Sequence, residues 1–330
     1  MGGIILEKFS DRQLGSWSVA AVAAPALYLA PAAGITGTVA ALLLAAAAAM
    51  GLRVLRSGCP DGVLTVLGTT PWGRTVLLLE AAGLCVVLAC LAAWSDSAFP
   101  QIDGAWLYPL ILLALAAAAV LRGPAVPVRV GAILTPLLAI TGGIVIAFAA
   151  RNSKPQLLRP VPAGWETLGV LGALLLPLCG VFLDARVRRT NARGVGWAVL
   201  TGALTLGAAM VAVGNLGPAL CAELPFPLYT VTQSLRLFGA MERFEAALSA
   251  VIVAGFFAAL MLVLSAAAEI LRRCIRFSSP AILISVVSYG ILFWVRADAA
   301  RIFRITAPIF CGLMPILLLL VANRKKHEKS

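Results

Sequence analysis

Apolar residues occur in ten long runs, and the short segments between these runs carry most of the charged side chains. A helix that crosses a bilayer needs about 20 mostly apolar residues, and each run has about this length. The runs cover residues 15–32, 35–55, 74–94, 104–121, 129–149, 165–183, 194–214, 243–271, 280–297 and 304–322. The pattern predicts an all-α integral membrane protein with about ten transmembrane helices.

The segment 215–242 differs from the other connections because it is long and rich in proline and polar residues. These residues are Pro218, Glu223, Pro225, Pro227, Gln233 and Arg236. We expect a long loop here, containing a short helix that lies at the surface.

Lysine and arginine are divided unevenly between the two sides of the predicted bundle. If the N-terminus is inside, the inside segments hold 18 of the 26 basic residues, as the positive-inside rule requires. The distribution predicts that both termini are cytoplasmic, that 323–330 is a basic cytoplasmic tail, and that 215–242 lies outside.

Helix-breaking residues interrupt two runs at corresponding places. The first run contains Pro25 and Pro31, with Gly34 just beyond its end. The sixth run contains Gly169, Gly172, Pro177 and Gly180. Broken backbone within a membrane is tolerated where it is buried or lines a cavity, and one break in each half is typical of inverted-repeat transporters. Ordinary proline kinks are the alternative interpretation.

The two breaks therefore predict a five-plus-five inverted repeat inside a single membrane domain, residues 1–330. The first repeat covers about 15–149 and the second about 165–322. A small molecule would bind where the broken helices meet. The candidate ligand-binding residues at the breaks are Pro25, Ala26, Tyr28, Gly169, Gly172 and Ala173.

Composition supports a membrane protein and argues against several soluble classes. Hydrophobic residues make up 61% of the chain, against about 45–50% in soluble domains. The net charge of +12 is explained by the basic connections, and no basic-aromatic patch suggests nucleic-acid binding. Charged residues before the first run argue against a cleaved signal peptide.

The sequence shows no constellation that would support catalysis or a bound cofactor. The seven cysteines form no CxxC pair and lie mostly in apolar runs, and the single histidine, His327, is in the basic tail. No Ser-His-Asp set, phosphate-binding loop or zinc motif is visible. We expect a protein that is not an enzyme and that needs neither a metal nor a cofactor.

Two acidic residues lie within or at the end of apolar runs. Glu80 is inside the third run, where an ionisable group is costly and is a functional-site hypothesis by default. It is a candidate to hold a ligand amine or carry a proton, with an ion pair to Arg74 or snorkelling to the interface as alternatives. Glu269 precedes Arg272 and Arg273, and an ion pair within one helical turn accounts for it.

The stretch 216–271 resembles the endospore germination permease family, the GerAB-like B subunits of spore nutrient germinant receptors. The resemblance is carried by a Leu-Gly-Pro at 216–218, by Pro227 and Leu228, and by a Glu-Arg-x-Glu helix opening formed by Glu242, Arg243 and Glu245. The N-terminal KFSDRQLGSW is similar to the same family's "SnRQL" pattern, with Ser10, Arg12, Gln13 and Leu14.

The resemblance implies a fold related to the amino acid–polyamine–organocation (LeuT-like) transporters and a role as a sensor. Such a subunit binds a nutrient, for example an amino acid, and signals to A-type and C-type partner subunits in the spore inner membrane. Glu242, Arg243 and Glu245 would then contact a partner.

The sixth break departs from the family's Gly-Phe-Pro-Phe-Gly-Glu pattern, since Gly172 stands at the acidic position, and the ligand class therefore does not follow from the resemblance. A secondary amino acid transporter driven by protons or sodium, with Glu80 as coupling group, is the alternative function.

Overall fold

The computed structural model describes residues 9–58, 62–97, 107–123, 125–188, 195–224, 226–233, 244–275, 277 and 279–327. Its helices are α1 (Asp11–Gly58), α2 (Val63–Leu67), α3 (Pro71–Ser97), α4 (Leu107–Leu121), α5 (Ala125–Ala150), α6 (Glu166–Leu175), α7 (Val195–Leu216), α8 (Pro218–Glu223), α9 (Pro227–Gln233), α10 (Phe244–Cys274), α11 (Pro280–Val295), α12 (Ala299–Ala307) and α13 (Met314–His327). The 3-10 segments are Pro155–Leu157, Leu176–Arg186 and Arg296–Asp298, and Pro308–Leu313 is π-helical.

Within these ranges, seven helical stretches are long and apolar enough to cross a membrane. Two of them, Gln13–Ser57 and Pro280–Arg324, contain 45 residues each. A regular helix of that length would extend about 68 Å, more than twice the roughly 30 Å of a bilayer core. Both stretches contain an irregular position, and the count of ten spans stays a prediction.

Helix α1 turns sharply at Gly34, where φ is 67° and ψ is −177°. The Thr38 hydroxyl donates to the carbonyl oxygens of Ala30, at 3.2 Å, and Gly34, at 2.7 Å. Residues eight apart in a straight helix are separated by about 12 Å, so the chain bends back at this glycine. The first and second apolar runs therefore meet at the boundary that the sequence predicts.

The break expected around Pro25, Pro31 and Gly34 occurs at Gly34 alone, because both prolines lie inside the helical part of α1. Proline removes one hydrogen bond but is accommodated in membrane helices when neighbouring groups satisfy the freed backbone. The sixth run does change its geometry: α6 ends at Leu175 and continues as the 3-10 segment Leu176–Arg186. Runs of 3-10 helix longer than about four residues are uncommon and often mark strain or a hinge.

Replacing Gly34 with alanine is expected to lower the free energy of unfolding by about 1–3 kcal/mol, because only glycine adopts this backbone conformation without strain. The matched control is Gly51→Ala, since Gly51 has helical backbone and open space around an added Cβ. That change should stabilise the helix by about 1 kcal/mol. Thermal unfolding of the purified protein compares the two, and equal shifts would contradict the turn at Gly34.

Helix α1 lies centrally and packs against α5, α6, α7 and α10. The most apolar windows of α3 and α10 are largely buried inside the protein, whereas α5 and the stretch from α11 to α13 turn many apolar side chains outward. Large exposed residues on the outer faces include Ile133, Val286 and Trp294. Exposing this much apolar surface would be unfavourable in water but is compatible with lipid. The burial pattern therefore agrees with an integral membrane protein.

The start of α1 carries a capping box. The Gln13 amide donates to the Ser10 hydroxyl at 3.3 Å, and the Ser10 amide donates to Gln13 Oε1 at 3.1 Å. This reciprocal pairing satisfies two backbone donors at a helix start. The two-residue strand Phe9–Ser10 also pairs in parallel with Val187–Arg188, which ties the start of α1 to the end of the sixth run.

The segment 215–242 contains two short helices: α8 is mostly exposed, as predicted for a surface helix, whereas α9 is largely buried. Phe226 and the α9 residues Leu228, Val231 and Thr232 are almost inaccessible to solvent, and α9 packs against α1, α5, α7 and α10. The burial of α9 was not predicted, because its apolar residues are interspersed with proline and polar residues. The proposed partner contacts Glu242 and Arg243 lie outside the described residues, as does the side chain of Glu245.

Candidate functional site

Tyr28 of α1 lies at the centre of a group of aromatic rings. Its ring stacks on Trp94 of α3, with centroids 5.3 Å apart, and on Phe226, with centroids 5.4 Å apart. Phe256 of α10 meets Tyr28 edge-on at 6.4 Å, and Phe303 of α12 packs on Trp94 at 4.6 Å. These five residues are called the aromatic cluster below.

The aromatic cluster joins segments that are far apart in sequence. Trp94 is only 3% exposed, and Phe256 and Phe303 are fully buried. Trp94 is buried although it ends the apolar run 74–94. Stacked aromatic faces accept another flat apolar group and attract ammonium groups, so the cluster has the chemistry to hold an amino acid-like molecule.

The predicted α1 residues lie next to this cluster. Pro25 and Ala26 are buried less than one helical turn before Tyr28, and no side chain of theirs reaches solvent. Their environment is regular helix rather than unwound backbone. They therefore belong to the helix that carries Tyr28 and do not form an unwound segment for a ligand.

The predicted sixth-run residues lie between α1 and α12. A Cβ on Gly169 would be 3.1 Å from Arg304 Cγ and 3.5 Å from the Leu29 side chain. A Cβ on Gly172 would be 2.8 Å from Ala307 Cβ and 3.4 Å from the Phe303 ring. Gly169, Gly172 and Ala173 are all buried in regular helix, so they let α6 approach the helices that carry Tyr28 and Phe303.

Gly172 thus has no room for the acidic side chain that the family pattern places there. Gly172→Ala is expected to cost about 1–3 kcal/mol of stability through overpacking. Gly143→Ala is the control, because nothing lies within 4 Å of an added Cβ at Gly143. If thermal unfolding shows the same stability for both variants, close packing of α6 against α12 is not required.

Glu80 does not join the aromatic cluster. It lies on α3 fourteen residues before Trp94, which separates the two positions by about 21 Å along the helix. Its side chain is fully buried. The structure therefore brings Pro25, Ala26, Tyr28, Gly169, Gly172 and Ala173 to one region and places Glu80 in another.

Neither carboxylate oxygen of Glu80 has a hydrogen-bond partner among the described residues. The alternative ion pair with Arg74 is not formed, because Arg74 is exposed and its Nε donates to the Gly68 carbonyl oxygen at 2.7 Å. Snorkelling is excluded as well, since the side chain does not reach the surface. Glu269 behaves as predicted: Arg272 Nη1 lies 2.8 Å from its Oε2, and Arg273 Nε lies 3.8 Å from its Oε1.

One ionic contact near the site was not predicted. Arg304 Nη1 of α12 lies 3.4 Å from Glu166 Oε1 in the first turn of α6. Arg304 belongs to α12 and is partly buried. The contact links the start of α6 to the helix that carries Phe303. No group of three potential metal-ligating side chains occurs in the described part of the chain.

No protein-family model matches the sequence, and no curated protein matches it either. Among solved structures, the chain is similar to MhsT, whose crystal structure was determined in complex with L-phenylalanine. The TM-score is 0.65 at 15% identity, over 94% of this chain and 89% of MhsT. At this identity the likeness concerns the fold. The chain therefore shares the all-helical fold of MhsT, in agreement with the predicted fold class, and the five-plus-five repeat stays a prediction.

Proposed function

We propose that this protein binds a small, amino acid-like nutrient at the aromatic cluster and serves as the membrane subunit of a spore nutrient germinant receptor. The observation that carries the binding site is the stacking of Tyr28 between Trp94 and Phe226. The fold that it shares with MhsT, which was crystallised with L-phenylalanine, supports an amino acid-like ligand.

The position of the cluster supports signalling as well as binding. Its rings come from α1, α3, α10, α12 and the residue before α9, so a ligand that separates the rings must shift these segments relative to one another. A ligand changes a conformational equilibrium only if it binds one arrangement more tightly than another. A nutrient that replaces ring-ring contacts with its own contacts meets this condition.

The receptor assignment rests on the residues that resemble the germination permeases. Two of them, Ser10 and Gln13, form the capping box at the start of α1. Gly217, in the Leu-Gly-Pro motif, has a φ of 84° and stands immediately before α8, with Pro218 as the first helical residue. The motif residues thus have structural roles that account for their types. The proposed partners are A-type and C-type receptor subunits in the spore inner membrane.

The receptor function is tested with spores that lack this gene, exposed to single amino acids, sugars and nucleosides. We expect the germination response to one nutrient to disappear while responses through other routes persist. Reintroducing the wild-type gene should restore the response. A mutant that responds normally to the whole panel would contradict the receptor function.

The second candidate function is secondary transport of an amino acid, driven by protons or sodium. The buried, unpaired carboxyl of Glu80 favours it, because a coupling group must be able to bind and release a cation inside the membrane. Uptake of labelled amino acids into proteoliposomes, with and without proton or sodium gradients, distinguishes the two. Accumulation that depends on a gradient indicates a transporter, whereas binding without accumulation indicates a receptor.

A further inference from the structure

Glu80 lies where three helical segments with different geometries meet. Gly83, one turn further along α3, is in contact range of the Phe310 ring in the π-helical turn Pro308–Leu313. In the same turn, Gly312 packs on Leu175 at the end of α6. The 3-10 segment Leu176–Arg186 packs against this π turn, and Cys179 of the 3-10 segment lies beside Cys311 of the π turn.

These contacts define a junction of α3, next to Glu80, with the π turn and the 3-10 segment behind it. Two helical segments of this junction depart from α-helical geometry, one as an eleven-residue 3-10 helix and the other as a π turn. Such irregular helices are frequent at functional sites and hinges. The junction is distinct from the aromatic cluster, which lies about 21 Å further along α3.

No positive charge faces Glu80 among the described residues. On α10, Glu269 is held by Arg272 and Arg273. The basic side chains of α12 flank Phe303, which contacts Trp94 near the far end of α3, and Arg74 bonds to Gly68. The remaining titratable or charged groups on described segments packed against α3 are Cys274, Tyr108, Tyr289, Arg296, Asp298, Arg301 and Arg304, and none of them pairs with the Glu80 carboxyl.

We propose that Glu80 is a proton-binding site at this junction, separate from the nutrient site, and that it carries its proton in the conformation described here. An ionised carboxylate without a partner would cost several kcal/mol or more in such surroundings. The neutral acid fits among Leu77, Ala81 and Leu84, which are themselves buried.

Release of the proton would create a charge that the closed junction cannot hold. The charged form therefore favours an arrangement in which α3 separates from the 3-10 segment and the π turn, so that water reaches Glu80. The protonated form favours the packed arrangement. The inference rests on the proposed function in one respect: the proton influences nutrient binding only if the same helices move when the nutrient binds.

The test is infrared spectroscopy of the purified protein in lipid nanodiscs, following the carbonyl stretch of neutral carboxylic acids. At neutral pH we expect a band from one neutral carboxyl that is lost in Glu80→Gln. The matched control is Glu223→Gln, since Glu223 is an exposed acid on α8. That variant should keep the band.

The absence of the band from the wild-type protein, or its persistence in Glu80→Gln, would overturn the proposal. If Glu80→Gln does not fold, Glu80→Asp replaces it, and the band should change in position rather than vanish. Loss of the band when sodium is added at constant pH would show that the site takes a metal cation in place of the proton, which also overturns it.

Nutrient binding is measured on the same samples, so that the proton site and the proposed nutrient-binding function are tested separately. Glu80→Gln mimics the neutral acid, so it should bind nutrient as the wild type does but lose any dependence of affinity on pH. A wild-type protein that shows the infrared band and binds no nutrient contradicts the proposed function alone. A protein that binds nutrient and lacks the band contradicts the proton site alone.

Discussion

Substitution of Trp94 by alanine is expected to lower the free energy of unfolding by about 3–5 kcal/mol, the usual cost of removing a large aromatic side chain from a packed interior. Trp94 is 3% exposed and contacts both Tyr28 and Phe303. Its loss leaves a cavity between α1, α3 and α12 that the surrounding helices fill only partly. Chemical or thermal unfolding in detergent or nanodiscs measures the change.

Trp294 provides a matched control of the same residue type. It lies on α11 and is 89% exposed on the apolar outer surface. Trp294→Ala should change the stability by no more than about 0.5 kcal/mol, as is usual for surface positions. Equal destabilisation by the two substitutions would show that the aromatic cluster does not contribute to the packing of the helices.

The second large effect is expected on ligand affinity. Tyr28→Ala should weaken nutrient binding by about 30-fold or more, corresponding to the roughly 2 kcal/mol that defines a binding hot spot. The reason is that Tyr28 is the ring on which Trp94, Phe226 and Phe256 converge. Isothermal titration of the purified protein with the nutrient found in the germination assay measures the affinity.

Two control variants show whether the loss of affinity comes from removing the Tyr28 ring. Tyr28→Phe keeps the ring and should retain most of the affinity. Tyr289→Ala removes a tyrosine from α11, which packs on Phe293 away from the cluster, and should leave the affinity unchanged. If Tyr28→Ala binds the nutrient as tightly as Tyr289→Ala does, the nutrient binds elsewhere.

The membrane helices could be predicted closely because each depends on the apolar run of its own segment and not on contacts with distant segments. A backbone in lipid must satisfy its own hydrogen bonds, so a long apolar run has few alternatives to a helix. The run 129–149 corresponds to Ala125–Ala150, and the run 243–271 corresponds to Phe244–Cys274. The turn at Gly34 followed from the same reasoning, since glycine separates two runs that are together too long for one span.

The parts of the candidate site that were mispredicted depend on contacts between distant segments. Pro25 and Pro31 interrupt the pattern of the first run, but the packing around α1 keeps both in a helix. Tyr28 was selected for its position between these prolines, although its partners Phe226 and Phe256 come from segments that no local pattern connects to it. The aromatic cluster was therefore beyond sequence analysis.

The sequence around Glu80 argues against the ion pair with Arg74. Residues six apart lie on different faces of a helix, so an ion pair with Arg74 was geometrically poor. The correct partner for an acid on a helix is three or four residues away, as Glu269 and Arg272 show. Glu80 has no basic residue at such a distance, which already indicated an unpaired acid inside the membrane.

The central claim, that the nutrient binds at the aromatic cluster, is tested most directly by photo-crosslinking. A diazirine analogue of the active nutrient is bound to the purified protein and irradiated, and the labelled peptides are identified by mass spectrometry. The account predicts labels on α1 around Tyr28 and on α3 around Trp94, suppressed by excess unlabelled nutrient. Competed labels confined to other segments, for example around Glu80, with none near Tyr28 or Trp94, would contradict it.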